Sequence, residues 1–88
     1  MNATVFLQNI FRVGASFVVT GKVEEGVLKT GMKLNLGKKV ASVSGIEMGR
    51  TQLKTAKAGD FIGFTLDAGP EDLSSLQKLL GSRVTLTE

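Results

Sequence analysis

The fold is indicated most clearly by the stretch over 18–36, VVTGKVEEGVLKTGMKLNL. Near its end Met32, Leu34 and Leu36 alternate with polar residues. Alternation with a period of two predicts a β-strand that has one buried face and one wetted face. Earlier in the stretch, the sequence Glu24-Glu25-Gly26 follows a β-branched run and predicts a tight turn. The stretch therefore predicts short strands joined by turns.

Outward from this stretch, eleven glycines divide the 88 residues into short β-branched runs. This is nearly twice the average glycine usage, and the pattern is typical of small β-barrels and sandwiches. The sequence thus predicts an all-β fold, a small closed antiparallel β-barrel of six or seven strands with one short helix. We expect strands over 3–13, 17–23, 32–36, 39–48, 61–66 and 82–87, with Gly45 as a bulge or a bend.

The segment over 70–81 breaks the β pattern. It begins with proline, has two acids in its first turn and a late lysine, and ends on glycine, as helices do. Leu73, Leu76 and Leu80 fall on one helical face. We expect a short amphipathic helix over about 70–80 that covers an open end of the barrel, in preference to a helix that binds a partner.

Composition narrows the possible chemistry. The chain has no Cys and no His, so it lacks thiolate chemistry, disulfides, the commonest general base and the usual zinc ligands. No apolar run exceeds three residues, which excludes a helical membrane span. We therefore expect a binding module that is not an enzyme, holds no metal or cofactor, and resides in the cytoplasm.

A phosphate-binding loop is also missing. The glycines of Gly26-Val27-Leu28-Lys29-Thr30-Gly31 have the required spacing, but Met32 stands where the loop needs lysine. We interpret these glycines as turns and expect no binding of GTP or ATP.

Charge is distributed unevenly along the chain. Residues 12–57 hold nine basic and three acidic side chains, a net charge of +6, whereas residues 58–88 carry a net charge of −3. Such asymmetry can mark a face for an anionic partner. Lysines placed on edges and turns for solubility would give the same pattern.

Three blocks of the sequence stand out together: VVTGKVEEGVLKTGMKLNL (18–36), SGIEMGR (44–50) and AKAGDFIGFTL (56–66). They resemble the second domain of translational GTPases. Their order and spacing are most similar to the β-barrel that follows the GTPase domain in elongation factor Tu and its archaeal and eukaryotic counterparts. The resemblance covers roughly 5–67 and implies the fold more specifically than the function, because this barrel recurs in several factors.

In that family the barrel holds the aminoacylated 3′ end of tRNA and contacts the GTPase domain and the ribosome. By resemblance, Glu47 and Arg50 line the cleft for the terminal adenosine and a nearby phosphate. Phe11 and Val13 coincide with the apolar wall of that cleft. Phe61 stands where the family has Asn, and we expect it to plug the cleft from inside, the alternative being that it stacks on a base.

Other positions depart from the family. Gln8-Asn9 replaces an acidic pair, so the resemblance implies weaker recognition of an α-amino group. We expect one domain, 1–88, that is a non-catalytic module for a tRNA 3′ end, for rRNA or for the ribosome. The alternative is a stand-alone protein-interaction or scaffold module, natural or engineered, that binds a separate GTPase or another protein. The expected RNA-binding residues are Phe11, Arg12, Val13, Lys38, Lys39, Glu47, Arg50, Lys54, Lys57 and Phe61.

Overall fold

The computed structural model describes residues 2–88, most of which lie in strands. The short helix α1 (Leu73–Lys78) follows a 3-10 turn over Pro70–Asp72. The strands are β1 (Asn2–Val13), β2 (Ser16–Lys29), β3 (Lys33–Leu36), β4 (Lys39–Met48), β5 (Thr51–Leu53), β6 (Thr55–Lys57), β7 (Phe61–Leu66) and β8 (Arg83–Thr87).

Six of these strands close into an antiparallel barrel. Their order around the barrel is β1, β8, β3, β4, β7, β2, and the long pairing of β2 with β1 closes the ring. The short strands β5 and β6 lie beside the ring, β5 against β4 and β6 against β2. The all-β fold and the closed barrel predicted from the sequence are therefore confirmed.

The core fills the inside of the barrel, and buried residues alternate with outward-facing ones along β7 and along β2 as far as Val23. On β7, Ile62, Phe64 and Leu66 are buried, and on β2 Val19 and Val23 are buried. The residues between them face outward, because successive side chains of a strand point to opposite faces. This alternation fixes which side chains reach the outer surface.

The predicted turn over 24–26 is wrong. Strand β2 runs through it, because its pairing with β1 extends from Ser16 to Gly26 and its last three residues pair with β6. The pairing shifts so that Glu24 is the extra residue of a β-bulge, and Gly26 has a φ of +72°. A Cβ at Gly26 would lie 2.2 Å from the carbonyl oxygen of Asn2, so glycine here permits close packing of two strands.

The predicted bulge at Gly45 is confirmed. The register between β4 and β7 shifts between Val43 and Gly45, which leaves Ser44 as the extra residue. Strands β5 and β6 were not predicted, because three residues each are too short to show an alternating pattern.

The helix covers the barrel core as predicted, although α1 itself spans only Leu73–Lys78. Leu76 is fully buried, and Leu73 and Leu80 pack against the core while partly buried. Within residues 2–88, no helix combines the length and the apolar character that a bilayer span requires.

An ion-pair cluster ties the start of this segment to β4. The Nζ atom of Lys39 lies 2.9 Å from Oε1 of Glu71 and 3.1 Å from Oδ2 of Asp72. The same Asp72 oxygen accepts a hydrogen bond from the backbone N–H of Gly69 at 3.0 Å. The hydrogen bond from Lys39 lowers the pKa of Glu71, and the bond to Glu71 in turn raises the pKa of Lys39. Lys39 is thus engaged with the helical segment.

Candidate nucleic-acid interface

Two cross-strand rows build one stretch of the outer surface. The first row runs from Phe11 on β1 through Val18 on β2 and Thr65 on β7 to Gly45 on β4. These residues are register partners on neighbouring strands, so their side chains share one face. The row begins with an exposed aromatic ring and ends on a residue without a side chain.

The second row lies beside the first. It runs from Asn9 through Thr20 and Gly63 to Glu47, and ends at Gln52 on β5. Glu47 is the acidic residue of this row, and its side chain is exposed.

Gly45 and Gly63 leave a depression between these side chains. Neither glycine has a positive φ, and a Cβ at Gly63 would come no closer than 3.4 Å to Val18. At Gly45 the nearest atom would be Oγ1 of Thr65 at 3.9 Å. Their small size therefore opens space on the outer surface and is not needed for the backbone conformation.

Three adjoining recesses occupy this space, and Glu47 borders all three. A recess of about 320 Å³ lies on the side of Phe61, and one of about 600 Å³ lies on the side of Phe11 and Val13. The third, of about 450 Å³, extends toward Lys54. We call the first two recesses the outer groove; its lining residues are Gln8, Phe11, Val13, Ser16, Val18, Thr20, Gly21, Glu47, Gly49, Phe61, Ile62, Gly63 and Thr65.

Three apolar residues of the outer groove are open to solvent. Phe11 is 54% exposed, Val13 59% and Phe61 60%. The expectation that Phe61 plugs the cleft from inside is wrong, because Ile62 takes the inward position and alternation turns Phe61 outward. The ring instead forms one wall of the groove.

Arg50 and Lys54 are the expected cations nearest in sequence to Glu47. Arg50 follows Gly49 in the tight connection between β4 and β5. Lys54 lines the third recess together with Glu47 and Gln52. Both cations therefore lie at the end of β4 that holds Glu47.

The other expected basic residues lie elsewhere. Lys39 begins β4 eight residues before Glu47, which corresponds to roughly 25 Å along an extended strand. Lys38 precedes it in the β3–β4 turn, and Lys57 is on β6 opposite Val27. A basic segment in the sequence is thus spread over different parts of the surface.

Arg12 also points away from the groove. It is the register partner of Phe17, so it lies on the opposite face of the β1–β2 ribbon from Phe11 and Val13. Its Nε donates a hydrogen bond of 3.3 Å to the carbonyl oxygen of Gly14.

Sequence reasoning missed several lining residues. Gln8 reaches the groove because β1 has a register irregularity between Leu7 and Asn9, which no pattern in the sequence indicates. Gly63 and Thr65 could have been found, since they lie two and four residues after Phe61 on β7 and therefore point to the same face of the strand.

Comparison with known proteins relates this surface to a family. The sequence model of the family described as Elongation factor Tu domain 2 matches residues 16–75. Elongation factor 1-alpha S of Porphyra purpurea is 34% identical over 71 residues, which are 76% of this chain and 14% of the relative. Elongation factor 1-alpha of Plasmodium falciparum is 38% identical over 63 residues, 68% of this chain and 14% of the relative.

A solved structure supports the same fold. The apo form of translation elongation factor SelB from Methanococcus maripaludis matches with a TM-score of 0.74 and 24% identity, over all of this chain and 19% of that protein. This chain thus spans about 14% of the length of the curated relatives it matches. The family model covers most of the chain, and the barrel agrees with it. The chain belongs to the elongation factor Tu domain 2 family.

Proposed function

We propose that this translation-factor module binds the single-stranded 3′ end of an RNA in the outer groove and catalyses no reaction itself. The observation that carries the proposal is the position of Glu47 between the exposed walls formed by Phe11 and Phe61. Aromatic surface beside a carboxylate suits a nucleoside, which offers a flat base and ribose hydroxyl donors. The tRNA 3′ end and ribosomal RNA are the candidate ligands.

Each wall of the groove has a distinct role in this proposal. Glu47 accepts hydrogen bonds from the hydroxyls of the terminal ribose, and Arg50 meets a phosphate. Phe61 offers a ring face to a base, and Phe11 and Val13 form the apolar wall on the other side. A hydrogen bond to a charged group contributes about 1.5–3 kcal/mol, and stacking contributes about 1–3 kcal/mol per base. These contributions are large enough for a short RNA end to be held by few contacts.

Phe61→Asn tests the proposed stacking. Because the ring is 60% exposed, we expect the free energy of unfolding to change by no more than about 0.5 kcal/mol. The affinity for a hexanucleotide that ends in CCA should fall by about 1–3 kcal/mol. Urea denaturation and fluorescence anisotropy with a 5′-labelled RNA measure the two quantities.

Val40→Asn is the matched control for this variant. Val40 is 51% exposed and lies near the start of β4, away from Glu47, so its replacement should change neither stability nor RNA affinity appreciably. Equal RNA affinity of Phe61→Asn and the unchanged protein would contradict the role of the ring.

A protein partner is the second candidate, because Phe11, Val13, Met48 and Phe61 all expose apolar surface. Salt dependence separates the two candidates. RNA affinity should fall with salt, with a slope of about 0.7 in log affinity against log salt for each phosphate neutralised on a single strand. Binding of the hexanucleotide that is indifferent to salt would argue against RNA as the natural ligand.

A further inference from the structure

A third cross-strand row lies on the outer surface and begins at the edge of the outer groove. From Phe61 on β7 it continues to Lys22 on β2, Phe6 on β1 and Arg83 on β8, each the register partner of the one before. We call these four residues the cation–aromatic row, since rings and cations alternate along it. Phe61 belongs both to the row and to the groove.

The side chains of the row contact one another. The Nζ atom of Lys22 lies 5.5 Å from the ring centroid of Phe61, and Cζ of Arg83 lies 6.0 Å from the ring centroid of Phe6. Both distances are close to the limit of about 6 Å for a cation–π contact, so a ligand can displace these contacts. Arg83 has 67% of its side chain exposed, which leaves the guanidinium accessible.

This alternation has the chemistry of a single-stranded RNA track, in which rings stack on bases and cations neutralise the phosphates between them. Neighbouring strands are about 4.8 Å apart, so the four members of the row span about 14 Å. Consecutive phosphates of a stacked strand are about 3.4 Å apart along the helix axis. A strand whose bases stack on the rings of the protein is more extended than this, so the row, with its two rings, is long enough for about two nucleotides.

The RNA could also leave the outer groove through the third recess, which extends from Glu47 toward Lys54, but that recess lacks these features. The recess beyond Glu47 is lined by Lys54, Gln52, Leu53 and six further residues, none of them aromatic. A strand leaving in that direction would meet one lysine and no ring among these residues.

We propose that the cation–aromatic row binds the nucleotides immediately 5′ of the terminal nucleotide, so that the RNA leaves the groove over Phe61 toward Arg83. This inference rests on the proposed function, since the groove must first receive the 3′ end. It assigns RNA contacts to Phe6, Lys22 and Arg83, which no sequence motif indicates.

Glu24 competes with an RNA phosphate for Arg83 in this arrangement. Its Oε1 accepts a hydrogen bond from Nε of Arg83, so the carboxylate partly neutralises the cation that would meet a phosphate. Removing the charge of Glu24 should release Arg83 and strengthen the binding of RNA that is long enough to reach it.

The experiment compares a dinucleotide, CpA, with a hexanucleotide that ends in CCA. The dinucleotide is titrated by NMR and the 5′-labelled hexanucleotide by anisotropy, each at several salt concentrations. The unchanged protein should bind the hexanucleotide more tightly and with a steeper salt dependence. Lys22→Gln should lower that salt slope by about 0.7, the loss of one phosphate contact. Glu24→Gln should strengthen hexanucleotide binding, and both variants should leave CpA binding unchanged.

Lys54→Gln is the matched control, because it removes a cation from the other exit of the groove. It should leave the hexanucleotide slope unchanged, and thermal melts of all three variants check that each is folded. If CpA binds but the salt slope of the hexanucleotide falls with Lys54→Gln and not with Lys22→Gln, the proposed role of the cation–aromatic row is wrong. Binding of the 3′ end in the outer groove would still be supported. If the unchanged protein binds neither RNA, the proposed function and the row both fail.

Discussion

Leu76→Ala is expected to lower the free energy of unfolding by about 2–5 kcal/mol. Leu76 is fully buried and belongs to the core cluster, so truncation leaves a cavity beneath α1. A helix of six residues is not stable by itself in water, and its packing on the barrel must hold it in place. Urea denaturation measures the change.

Gln77→Ala provides the control within the same helix. Gln77 is exposed, and its replacement should change the free energy of unfolding by no more than about 0.5 kcal/mol. If Leu76→Ala were no more costly than Gln77→Ala, the helix would not be part of the folded core.

Gly21→Ala should destabilise the barrel by about 3 kcal/mol, at the upper end of the usual cost of overpacking. The new Cβ would lie 2.2 Å from the carbonyl oxygen of Phe6 and 3.2 Å from Cγ1 of Val5. The oxygen belongs to the backbone of β1, so relief requires β1 and β2 to separate where they close the ring. A thermal or urea melt detects the loss.

Gly45→Ala is the matched control for this prediction. Its Cβ would come no closer than 3.9 Å to Oγ1 of Thr65, and the φ of Gly45 is not positive. Alanine also restricts the unfolded chain, so the change should be neutral or slightly stabilising. Equal effects of the two substitutions would show that the strands are not packed as closely at Gly21 as described.

Much of the fold could be predicted from local patterns. The strands at 39–48 and 61–66 have the bounds that the sequence predicts, because glycine-containing turns flank them and both are rich in β-branched or aromatic residues. The turn over 24–26 could not be recognised as continuous strand. Two acids and a glycine are typical of turns, and only the pairing of β2 with β1 shows that Glu24 forms a bulge instead.

The candidate site was predictable in part. The resemblance implied that Glu47, Phe11 and Val13 share a cleft, and they line one recess. The sequence predicts a buried Phe61, because a phenylalanine that begins a strand after Gly59-Asp60 is more often buried than exposed. Alternation with the buried Ile62 turns it outward instead. The spread of the basic residues could not be predicted, because barrel closure decides which distant positions share a face.

In the proposed function, the outer groove receives a 3′-terminal ribose at Glu47. This binding is tested with two hexanucleotides of the same sequence ending in CCA, one with a free 3′-hydroxyl and one with a 3′-phosphate. The 3′-phosphate adds negative charge where the carboxylate of Glu47 should accept a hydrogen bond, so the unchanged protein should bind that RNA at least about tenfold more weakly. Glu47→Gln should remove most of this discrimination. Equal affinity of the unchanged protein for both RNAs, or full discrimination by Glu47→Gln, would show that Glu47 does not bind the terminal ribose.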